Sequence, residues 1–371
     1  MVISLCFLLN ACQTDKQFIY TNYNYFGTVL KAVTYTDKDT FMTFKEKADA
    51  VLSSIDATFN EEIASSEVAR FNNAIDGETI DIGEETYNLI MTAKDIYSQT
   101  SGAYNPCVYY LVDLWGFSAR FATNTDITRS YDRVFDEEGF LPLPEPKFVE
   151  AFATLSDFDK VRCFSEDGKY YLVKENSLLN LDGIDYYARI DLGGLIKGYA
   201  IDKLLEVADN LAITKGYISY GTSSVALMEN KKSDKWDLML TNPRQTENSS
   251  DIYLKMPLNN KCVSSSGDYE RYYETDGKRY SHIIDASAGK PIDNGICAVT
   301  VICDSAHIAD MLSTAICVMG KDKALEFIQS NYVKENNIEV IIAYETNDGV
   351  EIYSNKETNT FTVTDYRFIV K

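Results

Sequence analysis

Basic charge is scarce in this sequence: 35 Lys and Arg stand against 56 Asp and Glu, a formal net charge of −21 over 371 residues. That balance excludes partners gripped through Lys/Arg patches, nucleic acid and anionic lipid surfaces alike. A phosphate-bearing ligand would therefore need local compensation from a divalent metal, a helix N-terminus or a few placed cations. Cysteine never occurs in C-x-x-C spacing. Cys107, Cys163, Cys262, Cys297, Cys303 and Cys317 are scattered, which suits small buried hydrophobes better than a disulfide frame or a zinc site. There is no internal repeat, no low-complexity tract and no apolar run long enough to span a bilayer. Histidine occurs only twice.

The chain is long enough to bury a core without disulfide staples. Residues 1–11 are a short apolar run ending in Leu9-Asn10-Ala11-Cys12, followed by a polar stretch. This reads as the tail of a secretory signal with a lipoprotein-type processing site, Cys12 becoming the first mature residue and the membrane anchor. No Lys or Arg precedes the run, which would put the true start of such a signal upstream of Met1. Residues 12–24, with the lipidated Cys12, read as a polar, Tyr-rich tether, and 25–371 as one domain.

Within that domain a first strand is expected over 25–36 and amphipathic helices over 40–60 and 83–99, where apolar residues recur at helical spacing. Residues 120–148, charged and interrupted by Leu-Pro-Leu-Pro-Glu-Pro, read as a loop or surface insertion. Short strands return from 169 to 192, and a helical pattern opens at Gly193. Further strands are expected over 217–228, 236–240 and 252–256. Asp276-Gly277 and Asn347-Asp348-Gly349 read as hairpin turns. Ala298 to Cys303 has a buried-strand pattern that leads into a helix over 306–319. Hairpins mixed with strand-to-helix turns indicate an α+β fold and not a regular doubly wound sheet.

Four constellations carry chemistry. In Ile190-Asp191-Leu192-Gly193-Gly194-Leu195-Ile196-Lys197-Gly198 a strand meets paired glycines and then a helix. Backbone N–H groups there can approach an anion with Lys197 in reach, although a plain Gly-Gly turn has the same pattern. His282 follows a Ser264-Ser265-Ser266-Gly267 run and a basic hairpin, and precedes Asp285; it is either a structural residue or a proton acceptor. Asp310 and Thr314, at i and i+4 of the helix expected over 306–319, share one face and can offer hard oxygens to one Mg²⁺, or Asp310 is an ordinary first-turn acid. Ser101 to Pro106 and the aromatic run through Trp115 can wall a planar ring or simply fill core.

Taken in order, these four motifs resemble the ApbE family of FAD:protein FMN transferases, from Phe26-Gly27-Thr28 to beyond Gly320. The resemblance implies an α+β domain of the T-fold kind that binds FAD with Mg²⁺ on the pyrophosphate. It implies that a Thr or Ser hydroxyl of an acceptor protein takes FMN and AMP leaves. The acceptor would belong to an exported or membrane electron-transfer system, met at the outer face of the cytoplasmic membrane. Carried over by position, Asp310, Thr314, the Gly194 carbonyl and Ser313 match metal ligands. Phe26, Ala103, Tyr104, Asn105, Asp191, Lys197 and Ile284 match flavin-nucleotide contacts, and His282 matches the general base. Departures from the family pattern include Phe26 for Met, Asn105 for Asp, Glu62 for an aromatic and Gly221-Thr222-Ser223-Ser224 for a Gly-Gly-acidic turn.

Overall fold

Phe41, Phe44, Ala48, Leu52, Ile55 and Phe59 all point inward from one face of helix α1 (Lys38–Phe59). Asp37 caps this helix, its carboxylate accepting from the amides of Asp39 and Thr40, donors that have no partner inside the helix. Helix α2 (Glu84–Gln99) buries Leu89, Ile90, Ala93 and Ile96 in the same way. The computed structural model describes residues 16–118, 131, 133, 141–247 and 249–371.

Nine strands form the central sheet: β1 (Lys16–Asn22), β2 (Leu30–Thr36), β3 (Gly216–Tyr220), β4 (Ser224–Leu227), β5 (Lys261–Gly267), β6 (Ile296–Cys303), β7 (Glu339–Thr346), β8 (Gly349–Ser354) and β9 (Phe368–Val370). They lie side by side in chain order, and each adjacent pair is antiparallel except the last, which is parallel. The sheet is thus a meander whose long connections carry other elements. Helices α3 (Ile196–Asn210) and α4 (Ala306–Met319) are two of these; α1 packs on α3, and α3 on α4, over one face of the sheet.

The opposite face is covered by a three-stranded sheet of Trp236–Thr241, Ile252–Leu258 and Thr362–Val363. A strand covered on both sides has no reason to alternate polar and apolar residues. All eight residues of β6 are buried: Val299, Val301 and Cys303 join the helix-side core, while Ala298 and Ile302 join the other. A register irregularity between Ile296 and Ala298 lets Cys297 and Ala298, successive residues, both face the second core. A third apolar cluster, including Tyr110, Trp115, Phe152 and Ile284, builds a side wall.

The α+β expectation holds, with differences in detail. Residues 16–22 of the expected tether form edge strand β1, paired with β2 through seven positions. Their polarity is that of an edge strand with one wet face: Tyr20 and Asn22 turn inward while Ile19 and Thr21 are exposed. The following strand begins at Leu30 and not at Tyr25, because Phe26 and Gly27 both adopt positive φ and turn the chain. The single strand expected over 217–228 is a hairpin, broken at Gly221 with φ 62°. Asp276 and Gly277, at φ 52° and 72°, make the predicted two-residue hairpin turn, which needs left-handed backbone at both positions. The loop expected over 120–148 lies mostly outside the described residues, as does Cys12; its last residues belong to a helix starting at Pro146. The six cysteines are free thiols, five of them buried and Cys163 half-buried.

Candidate active site

Helix α4 begins where the fully buried β6 ends. Ser305 caps it, and the Asp202 carboxylate from α3 accepts from the Ala306 and His307 amides at 2.8 and 3.0 Å. This anchored start sets Asp310 one turn in, 3% exposed, facing the serine-bearing faces of β4 and β5. One carboxylate oxygen accepts from Ser264 Oγ at 2.9 Å and from Ser224 Oγ at 3.4 Å. The other accepts from the Gly198 amide at 3.3 Å and lies 3.7 Å from Lys197 Nζ.

Thr314, one turn on, is half-buried beside Gly194: a Cβ built there would be 3.8 Å from Thr314 Oγ1 and 3.7 Å from the Tyr104 ring. Lys197 Nζ donates to the Gly193 carbonyl at 3.1 Å, so one cation ties the Gly-Gly turn to Asp310. Asp191 shapes the same turn by accepting from the Gly193 amide at 2.7 Å. Burial raises the Asp191 carboxyl above the usual carboxylate range, against the lowering effects of the Gly193 amide, Arg271 and Lys197. The Tyr104 hydroxyl is buried without a protein partner, and burial followed by the nearby Asp310 and Asp191 charges holds it protonated.

His282 lies within electrostatic reach of Lys197. Its amide and its Nδ1 both lie against the Arg271 carbonyl, at 2.9 and 3.2 Å, and its ring meets Phe117 edge-on at 6.3 Å. A carbonyl only accepts, so Nδ1 carries the proton and Nε2 keeps its lone pair. Burial first, and then the Arg271 charge, pushes the imidazole down to about 4, so it is neutral at physiological pH.

Asp310, Thr314, Gly194, Lys197, Asp191 and Tyr104, picked out from sequence, thus converge, and His282 shares their electrostatic environment through Arg271 and Lys197. Others take different positions. Ser313 is fully buried; its hydroxyl donates to the Asp310 carbonyl and pairs with Ser266 Oγ at 2.8 Å, tying α4 to β5. The Asn105 amide bonds the Ser156 carbonyl and the Cys107 N–H, shaping its own loop. Ile284 is buried in the aromatic side wall. Ala103 is half-buried in the loop before Tyr104, and Phe26 packs edge-on against Tyr220 at the β3–β4 hairpin. Sequence reasoning assigned no role to Ser224, Ser264, Ser266, Glu270 or Arg271. Ser264 and Ser266 were legible as one face of a strand, since residues two apart share a side. Among the described residues no three His, Cys, Asp or Glu side chains cluster to hold a metal. The oxygen donors at hand are the Asp310 carboxylate and the Thr314 hydroxyl, with the Gly194 backbone beside them. This fits a hard cation that keeps most of its waters and completes its shell with phosphate oxygens.

The ApbE family model matches residues 26–342. This chain belongs to the ApbE family. Among curated relatives, the FAD:protein FMN transferase of Haemophilus influenzae is 27% identical over 354 residues, 94% of this chain and 93% of that one. The enzyme of the same name from Escherichia coli K12 is 26% identical over 86% of this chain and 82% of its own. Among solved structures, the flavin transferase ApbE from Vibrio cholerae superposes with a TM-score of 0.74 at 22% identity, covering 94% of this chain and all of that one. The ApbE protein of Thermotoga maritima gives 0.71 at 28% identity, covering 89% and 94%.

Proposed function

We propose that this ApbE-family protein transfers FMN from FAD to a Thr or Ser hydroxyl of an acceptor protein, releasing AMP. The observation that carries the reading is the meeting of Asp310, Thr314, Lys197 and the Gly193-Gly194 turn near a neutral imidazole whose tautomer is set by a backbone carbonyl. Phosphoryl transfer asks for that combination: held phosphates, charge stabilisation and a proton acceptor.

Asp310, Thr314 Oγ1 and the Gly194 carbonyl would hold Mg²⁺. When bound, that ion supplies neutralisation of the phosphate charge that builds up as the anhydride breaks. The Gly193-Gly194 turn lets backbone approach the pyrophosphate, with Lys197 beside it. The acceptor hydroxyl oxygen bonds to the FMN-side phosphorus as the bridging P–O bond to AMP breaks. The hydroxyl proton passes to His282 Nε2, leaving FMN on a phosphodiester. Tyr104, kept protonated, can only donate to a phosphate oxygen at this pH.

The test is intact-mass spectrometry of an exported flavin-acceptor domain after incubation with FAD and Mg²⁺, looking for an added FMN on Thr or Ser with stoichiometric AMP. FMN and AMP appearing at full rate with no adduct would replace transfer by FAD hydrolysis. Retained FAD without turnover would leave only a binding protein. The Leu9-Asn10-Ala11-Cys12 run supports a lipid anchor at Cys12 and action at the outer face of the cytoplasmic membrane. Cys12→Ser should move the protein from the membrane to the soluble fraction; unchanged partitioning would remove the anchor from the proposal.

A further inference from the structure

We propose that Asn72 is a positioning residue for the Gly193-Gly194 turn, acting as a one-residue substitute for the strand that the preceding segment lacks. The inference rests on the transfer reading for its kinetic consequences, though not for its geometry.

Residues 187–192 approach the turn without belonging to any strand. Their backbone groups nevertheless need partners, because Ile190 is wholly buried. The side chain of Asn72 supplies them: its Nδ2 donates to the Ile190 carbonyl at 2.9 Å and its Oδ1 accepts from the Ile190 amide at 2.9 Å. A primary amide is the one neutral side-chain group that offers donor and acceptor side by side, as a neighbouring strand would. On the next residue the Asp191 amide donates to the Pro106 carbonyl at 2.7 Å, so the segment is clamped between two elements that are distant in sequence.

Asn72 is itself held. It is 5% exposed, near the end of the short helix Glu67–Asn73. The wholly buried Lys174 donates to the carbonyls of Asn72 and Ala74 at 3.1 and 2.9 Å, closing the helix C-terminus. Asp76, close by in the same turn, accepts from Ser177, tying it to the strand that carries Lys174. The chain of contact therefore runs from a locked helix end through Asn72 to Ile190, then directly to Asp191 and the Gly193 amide it receives. Gly194 and the Gly193 carbonyl that holds Lys197 follow. A shift of Ile190 displaces every group on that turn.

Asn72→Ala is the first variant and Asn72→Ser the milder one, should the alanine variant fail to fold. Leu52→Ala, a buried position in α1, is the control for lost stability. Hydrogen exchange of the unliganded protein should show faster exchange in a peptide covering 187–194 and unchanged exchange in β6. In the transfer assay kcat/KM for FAD should fall by about 100-fold, the scale of a misplacement near 1 Å. KM for the acceptor should stay put, and Leu52→Ala should keep wild-type kinetics below its unfolding temperature. Unchanged exchange at 187–194, wild-type FAD kinetics in both Asn72 variants, or an equal kinetic loss in Leu52→Ala would each overturn the proposal. If the wild-type protein transfers no FMN, the functional reading fails while the exchange measurement still decides the clamp.

Discussion

Gly198→Ala sets helix propensity against packing. Gly198 lies in the first turn of α3, where it crosses the N-terminus of α4. By propensity alone, alanine there should stabilise the helix by about 1 kcal/mol. A Cβ at this position, however, would sit 2.4 Å from the Ala306 carbonyl oxygen and 2.6 Å from His307 Cα, both backbone atoms that cannot swing away. Reaching an ordinary contact near 3.4 Å requires the helices to part by about 1 Å. Overpacking of this kind costs about 1–3 kcal/mol, so the net expectation is a loss of up to about 2 kcal/mol. The functional effect should be larger, because the same movement pulls the Gly198 amide off Asp310 Oδ2 and carries Asp310 away from the Gly194 turn. A displacement of that size corresponds to about a 100-fold fall in transfer. Thermal unfolding and FMN transfer measured on one preparation separate the terms. A Gly198→Ala protein with a raised Tm and an unchanged rate would refute the packing argument and the account of how Asp310 is placed.

Three further outcomes are expected. With His282 pushed down to about 4, kcat/KM should stay level through pH 5–7 and fall only on an acid limb near 4; a limb near 6.5 would show an imidazole in an ordinary environment. Glu61 and Glu270 keep exposed side chains, yet desolvation by the protein around them, with help from Asp191, raises the Glu61 carboxyl to about 8, and desolvation, opposed by Lys197 and helped by Asp310, raises Glu270 to about 7. The folded protein then holds protons that the unfolded chain releases above about 4.5, so these groups lower stability as pH rises from 4.5 to 8. Glu61→Gln and Glu270→Gln should each raise Tm at pH 8.5 and leave it unchanged at pH 4.5; no gain at the higher pH would contradict the raised values. Asp310→Asn keeps the shape but removes the charge, and transfer should fall by about 10²–10³-fold with loss of Mg²⁺-dependent FAD binding by calorimetry. Retained metal dependence would exclude Asp310 as a ligand.

Much of the fold was legible because local patterns carried it. The faces of α1 and α2, the all-apolar β6, the Asp276-Gly277 turn and the start of α4 each follow from periodicity or turn chemistry within a few residues. Strand β1 reads as a tether because a polar run describes a tether and a wet sheet edge equally; only pairing with β2 separates them. The same limit applied at the site. Asp310 and Thr314 could be placed together from i, i+4 spacing alone, and Gly193, Gly194 and Lys197 from being neighbours in sequence. The hydroxyls of Ser224 and Ser264 around Asp310, the Arg271 carbonyl that sets the His282 tautomer, and Asn72 standing in for a strand beside Ile190 come from segments up to 118 residues apart. Sequence by itself determined which groups could do chemistry, since donor type and short-range spacing are covalent facts. The tertiary structure decided which of them meet and in what protonation state, because burial and long-range hydrogen bonding exist only once the sheet and its helices have packed.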